Sequence, residues 1–199
     1  MFTGIIEAQA QVKEIEKHER NLRFWLECPF ISEIKIDQSL AHNGVCLTVE
    51  ALRPNAYAVT VIEETLRRTH IADWKPNQYI NLERAMSAQG RFDGHMVQGH
   101  VDAVGICTNI KNLQGSWEFA FRFKPSEQFI IIEKGSICVN GVSLTVVKCS
   151  EENFYVHVIP YTFEHTNFKN FKVGERVNLE FDLIAKYIKR LMPKAEDES

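Results

Sequence analysis

The chain has 199 residues, 45% of them hydrophobic and 25% charged, with 23 Lys plus Arg against 26 Asp plus Glu for a net charge of −3. At about 150 residues per domain this length fits one large domain or two small ones, and the composition excludes disordered, collagen-like and disulfide-stapled classes. With no basic excess to neutralise phosphates, nucleic acid is not an expected partner.

Met1 to Ala10 carries neither a basic n-region nor an apolar run, so no secretory leader is expected. The longest purely aliphatic and aromatic run, Phe129 to Ile132, falls far short of the roughly 20 residues of a membrane span. Cys28, Cys46, Cys107, Cys138 and Cys149 are odd in number and lack Cys-x-x-Cys spacing. That favours reduced thiols in a cytosol over disulfides or a zinc knuckle. In chain order, Arg23 to Glu27, Tyr57 to Ile62, Trp117 to Phe123 and Phe154 to Ile159 are rich in aromatic and β-branched residues and are predicted strands. Asn43-Gly44 and Asn140-Gly141 are the dipeptides of tight hairpin turns. Thr65 to Thr69 and Thr162 to Thr166 each predict a short helical turn with Thr as its N-cap, and polar Ser87 to Gly94 reads as a linker. Ile184, Tyr187, Ile188 and Leu191 fall on one face of a helix, with Lys186, Lys189 and Arg190 mostly turned away. Pro193 is expected to stop that helix, and Lys194 to Ser199 to form a disordered tail.

One internal offset organises the whole chain. Asn43, Gly44, Val45, Leu47, Thr48 and Val49 recur as Asn140, Gly141, Val142, Leu144, Thr145 and Val146, displaced by 97 residues. The same displacement carries Thr65 and Thr69 onto Thr162 and Thr166, and Asn81, Leu82 and Glu83 onto Asn178, Leu179 and Glu180. That period is too long for a solenoid repeat and has the size of a small domain. A duplicated domain follows, with residues 1–96 and 97–182 as the two copies and 183–199 as a C-terminal helix and tail. Several strands in fewer than 100 residues predict a small closed or Greek-key β-barrel in each copy.

Taken once, Asn-Gly-Val-x-Leu-Thr-Val is explained by a hairpin turn entering a core strand. Retention of Leu-Thr-Val in both copies points to a second demand on Thr48 and Thr145, whose hydroxyls suit hydrogen bonds to a heterocycle. His95 and His100 flank the junction in Gly-His-Met-Val-Gln-Gly-His-Val-Asp. Three roles stand open for them: metal ligation, which lacks a His-Glu-x-x-His or a nearby cysteine; a turn histidine bonded to backbone; and acid/base work near neutral pH. Cys46 gains weight only from its place beside the repeated Thr.

The stretches Met1-Phe2-Thr3-Gly4-Ile5-Ile6-Glu7, Ala41-His42-Asn43-Gly44-Val45-Cys46-Leu47-Thr48, Gly94-His95-Met96-Val97-Gln98-Gly99-His100-Val101-Asp102 and Asn140-Gly141-Val142-Ser143-Leu144-Thr145 closely resemble the riboflavin synthase family of alpha type, over nearly the whole chain. The resemblance implies an all-β fold of two tandem six-stranded Greek-key barrels with a C-terminal α-helix, in a homotrimer whose helices pack together. It implies a transferase reaction in riboflavin biosynthesis. Two molecules of 6,7-dimethyl-8-ribityllumazine exchange a four-carbon unit to give riboflavin and 5-amino-6-(D-ribitylamino)uracil, with no cofactor and no metal. Each barrel is expected to bind one lumazine, the productive site lying between the first barrel of one subunit and the second barrel of its neighbour. Association with lumazine synthase is left open.

Carried over residue by residue, the first barrel's pocket resembles Gly4, Ile5 and Ile6, then Cys46, Leu47 and Thr48, then Thr60, Val61, Ile62, Glu63, Glu64 and Thr65. The second resembles Gly99, His100 and Val101, then Ser143, Leu144 and Thr145, then His157, Val158, Ile159, Pro160, Tyr161 and Thr162. Lys134 would reach in from a neighbouring subunit. The resemblance implies His100 as general base or proton shuttle, Thr145 as a positioning group, Ser39 and Cys46 on the nucleophile side, and Asp182 assisting. Tyr161, Phe163 and His165 depart from the family's more usual Glu, Leu and Arg, and Asp93 from a glycine. The alternative within the same fold is a non-catalytic lumazine- or flavin-binding accessory protein. Against it, both copies keep the Asn-Gly motif and a Thr-x-x-x-Thr pair.

Overall fold

The computed structural model describes residues 1–192. The expected end of the last helix at Pro193 and the polar tail lie outside that range. The first half winds β1 (Ala8–His18), β2 (Asn21–Glu27), β3 (Ser39–His42), β4 (Val45–Arg53), β5 (Ala56–Val61) and β6 (Tyr79–Arg84) into a closed antiparallel barrel, with ring order β1-β2-β5-β4-β3-β6. The second half repeats the ring with β7 (Ala103–Asn112), β8 (Trp117–Arg122), β9 (Ser136–Val139), β10 (Val142–Cys149), β11 (Asn153–Val158) and β12 (Arg176–Phe181). Closure leaves no free sheet edge. The bends it needs come from bulges at corresponding places, Val12/Glu14 and Val49/Ala51 in one barrel, Cys107/Asn109 and Val146/Lys148 in the other.

These registers extend the repeat further upstream than residue identities do. Val12 opposes Leu26 as Cys107 opposes Phe121, a displacement of 95 residues, whereas Tyr57 and Phe154, the β5 and β11 partners of Leu26 and Phe121, are 97 apart. The second copy therefore carries two extra residues between β8 and β9. Both Asn-Gly turns have positive φ at both residues, 45° and 78° in the first and 46° and 82° in the second, the geometry that matches strand twist in a two-residue hairpin.

Alternate residues of every strand fill two separate cores. The first is mainly aliphatic, with Trp74 set edge-on to Phe24. The second is built on phenylalanines, Phe119 meeting Phe168 edge-on at 4.9 Å between ring centres. A third, smaller cluster of Phe2, Ala41, Val97 and Cys138 joins the barrels, with backbone bonds running both ways between Phe2 and Val97.

Short helices follow β5 and β11: α1 (Glu63–Arg68) and α2 (Pro160–His165). The expected Thr N-caps are corrected here. Ile62 and Ile159 precede the helices without any side-chain cap, while Thr65 and Thr162 lie inside them. Thr69 and Thr166 close the C-terminal ends, donating their hydroxyls to Thr65 O and Thr162 O at 2.7 Å. Those same hydroxyls accept from the amides of Ile71 and Phe168, in the first residues of the next 3₁₀ turns. Thr166 is thereby the N-cap of the following 3₁₀ turn, while the turn after α1 has His70 at that position without a side-chain cap. The last helix, α3 (Leu183–Leu191), is capped by the Asp182 carboxylate on the Ile184 amide at 2.8 Å. Its stripe of Ile184, Tyr187, Ile188 and Leu191 is 56% to 81% exposed. No helix among the described residues is long and apolar enough to cross a membrane.

Candidate functional site

After each Asn-Gly turn the strand alternates strictly. Val45, Leu47 and Val49 point into the first core, leaving Cys46 half-buried and Thr48 exposed on the outer face. Val142, Leu144 and Val146 do the same in the second barrel, leaving Ser143 and Thr145 outside. The peptides that enter the barrels cross over these strands. The amide of Cys46 donates to Gly99 O, and the amide of Ser143 to Gly4 O, both at 2.8 Å. Both glycines have φ of 77°. A Cβ on Gly99 would stand 2.6 Å from that of Cys46, and one on Gly4 would stand 2.7 Å from that of Ser143. Only glycine permits that conformation and that approach together.

This crossing corrects the expected grouping. Gly4 to Ile6 lie against the second barrel, where Ile6 packs on the second core, and Gly99 to Val101 lie against the first, where Val101 packs on the first core. One side-chain constellation is therefore Cys46 and Thr48 with Gly99, His100 and Val101. The run from Thr60 to Thr65 lies beside it, because β5 follows β4 with Val59 opposite Val49. Ser39, opposite Thr48 on β3, shares its face. The other constellation is Ser143 and Thr145 with Gly4, Ile5 and Ile6, and with His157 to Thr162 along β11 and α2. Within these runs Leu47, Val61, Leu144 and Val158 are core residues whose side chains are buried. Thr60 already donates to Glu50 at 2.8 Å, and His157 faces Glu118 at 3.4 Å.

The second constellation holds an interaction that sequence reasoning missed. His95 Nδ1 is 2.6 Å from Ser143 Oγ, and its Nε2 is buried without a hydrogen-bond partner. Burial lowers the imidazole pKa, opposed by the charge of Asp182, so the ring is neutral near pH 7 and able to accept the Ser143 proton. Of the three roles left open for this histidine, the ring's bond to a side chain replaces the backbone-bonded turn. The two residues are 48 positions apart, and no local pattern joins them. His100 is exposed, held through its backbone amide by Glu180 at 3.0 Å. Lys134 is exposed at φ 64°, its amide bonded to Val146 O. A cleft of about 580 Å³ opens beside Ser39 and Ile5, edged by Glu83, Arg84 and Arg91.

Two outward faces of corresponding construction, each with a hydroxyl-bearing threonine beside a crossing peptide, suit two copies of one neutral, hydrogen-bonding ligand. The lumazine-binding-domain family model matches the chain twice, over residues 3–85 and 98–182. Riboflavin synthase of Actinobacillus pleuropneumoniae is 40% identical, covering all of this chain and 93% of its own length, and that of Bacillus subtilis is 37% identical over 99% of the chain and 92% of its own. The chain belongs to the riboflavin synthase family. In three dimensions it is also similar to LumP crystallised with riboflavin, with a TM-score of 0.83 at 20% identity, covering 91% of this chain and 99% of LumP. The riboflavin synthase relatives are matched across both barrels and α3.

Proposed function

We propose that the chain is a transferase that converts two molecules of 6,7-dimethyl-8-ribityllumazine into riboflavin and 5-amino-6-(D-ribitylamino)uracil in the cytoplasm. The single observation that supports this most is the pair of equivalent outer faces, at Cys46/Thr48 and Ser143/Thr145, in a chain 37–40% identical to riboflavin synthases along its length. A reaction that consumes two identical molecules calls for two similar sites. Each supplies threonine hydroxyls and free backbone groups to a pteridine and a polyol chain that carry no charge.

In this reading the site residues are those assembled above, used crosswise: Gly99 to Val101 complete the Cys46–Thr48 pocket, and Gly4 to Ile6 the Ser143–Thr145 pocket. His100 takes a proton from the acidic 7-methyl group of one lumazine. Cys46 or Ser39 supports nucleophilic addition to the other, Thr145 positions, and Asp182 assists. Holding two lumazines face to face turns an encounter into a unimolecular step, which is worth about 7 to 11 kcal/mol at best. The exposed apolar stripe of α3 favours a homotrimer built on this helix, bringing the first barrel of one subunit to the second barrel of the next with Lys134 reaching across. The deciding experiment incubates the purified chain with dimethylribityllumazine alone and follows riboflavin by absorbance. Steady riboflavin formation is expected. Tight binding without turnover would replace the enzyme by an accessory lumazine-binding protein, and absence of binding would overturn both.

A further inference from the structure

Glu83 on β6 and Glu180 on β12 are among the least exposed charged residues, at 4% and 2%. Neither faces outward, yet both carboxylates accept backbone amides. Glu180 accepts the amides of Gln98, Gly99 and His100 at 2.7, 2.9 and 3.0 Å. Glu83 accepts the amides of Thr3 and Gly4 at 2.7 and 3.0 Å and the Thr3 hydroxyl at 3.0 Å. Successive amides turned the same way around a left-handed glycine make a concave anion site, and here the protein supplies the anion itself. With its N–H groups taken, each peptide leaves its glycine carbonyl for the strand of the opposite barrel, Gly99 O for Cys46 and Gly4 O for Ser143.

We propose that Glu180 and Glu83 are positioning residues. Each carboxylate, rooted in one barrel, fixes the peptide that enters that barrel and completes the ligand pocket on the other. The arrangement occurs twice with the same connectivity, so it is not a local accident of one loop. A glutamine would fill the same space without burying a charge, but its NH₂ group would confront backbone donors, and only a carboxylate accepts from all of them. The cost of burial shows in both groups, whose pKa values it raises, that of Glu180 to about 7. Glu180 thereby acts on His100 and Cys46, and Glu83 on Ile5 and Ser143, without touching a ligand.

The inference rests on the proposed lumazine and flavin pockets, and its test separates the two. Amide hydrogen exchange is followed in the full chain, with and without riboflavin, for wild type, Glu180→Gln and Glu83→Gln. Without ligand, Glu180→Gln is expected to speed exchange at least tenfold at Gln98 to His100 and at Cys46, leaving Thr3, Gly4 and Ser143 unchanged. Glu83→Gln is expected to do the converse. With riboflavin, Glu180→Gln should lose protection over residues 60–65 and keep it over 157–162, and Glu83→Gln the reverse. KM should rise more than kcat falls, and Asp at either position should recover part of the loss. Equal loosening of both peptides in either variant, or unchanged exchange, would overturn the proposal. If a Gln variant does not fold, the Asp variant, which withdraws the carboxylate by one methylene, is read by the same exchange pattern. Absence of riboflavin protection in wild type would refute the ligand assignment while the unliganded exchange still decides the clamp.

Discussion

His42 and Glu180 titrate in opposite senses. His42 is fully buried. Its Nδ1–H donates to Leu40 O at 3.0 Å and its Nε2 accepts the Tyr57 hydroxyl at 2.9 Å, so the ring is held neutral. Burial lowers its pKa from 6.5 to about 4. Between those values the unfolded chain binds the proton more readily, so His42 favours the fold above pH 6.5 and loses that contribution as pH falls toward 4, by at most about 3 kcal/mol. Glu180 runs the other way. Its pKa rises from 4.5 to about 7, chiefly through burial, with the Gln98 amide, Lys186 and the His100 amide opposing and Asp102 adding to the shift. The folded chain holds that proton more tightly, and stability declines as pH rises from 4.5 through 7 by a similar amount. Thermal melting across pH 4 to 8 should therefore be flatter in wild type than in Glu180→Gln. Glu180→Gln, freed of the ionisation cost, should gain relative to wild type as pH rises, and a constant difference between the two would contradict this assignment. The His95–Ser143 bond gives a separate prediction. If that bond orients Ser143 in its pocket, His95→Ala should lower kcat at least tenfold with little change in Tm, and unchanged turnover would show that the pair takes no part in the reaction.

Among the elements, α1 and α2 occupy matching positions with different side-chain chemistry. In α1, Glu64 pairs with Arg68 at 2.6 Å; four residues apart in α2, Tyr161 stacks on His165 with ring centres 4.1 Å apart. At the next position Leu66 packs on the first core, while Phe163 stacks on Trp117 at 3.8 Å and 3° between planes. Two of the residues expected to depart from the family's usual ones, Tyr161 and His165, thus contact each other, and a third, Phe163, takes Trp117 as its partner. Phe163→Leu alone should lower Tm by several degrees through lost stacking, about 1 kcal/mol beyond the lost burial. Differential scanning calorimetry checks this, and a neutral result would mean Trp117 finds equal contact elsewhere. For α3, a chain ending before Ile184 should sediment as a smaller species than the full chain. Unchanged sedimentation would remove the helix from the assembly.

At the scale of the whole molecule, the barrels meet through a reciprocal set of amides. Asn178 Nδ2 donates to Asn43 O and Asn81 Nδ2 to Asn140 O, both at 2.9 Å. Asn178 Oδ1 accepts the His70 amide, and Asn81 Oδ1 the Asn167 amide. Asn178→Ala would leave at least two buried backbone groups without partners and should cost about 3 kcal/mol, which a urea titration of the full chain would measure; a loss below about 1 kcal/mol would mean water replaces the side chain. The two barrels, the Asn-Gly turns and the threonine faces were legible in the sequence because duplication writes each of them twice. The exchange of the entering peptides was not, since Gly4 and Ser143 are joined only by the closed three-dimensional ring. Nor was the His95–Ser143 bond, which has no counterpart in the first copy to mark it.

The meeting of Gly44 with Gly141, where a Cβ on either would stand 2.8 Å from the other's backbone nitrogen, sets the two halves about an approximate twofold axis inside one chain. Two separate identical chains around such an axis would have to carry the same residue at both of its sides. Joined end to end, the halves keep the shared frame yet mutate independently. Cys46 faces Gly99 where Ser143 faces Gly4, and His70 stands where the other half has Asn167. Covalent fusion therefore releases the molecule from its own symmetry, so that two binding faces of common descent are free to hold identical molecules in unequal chemical roles.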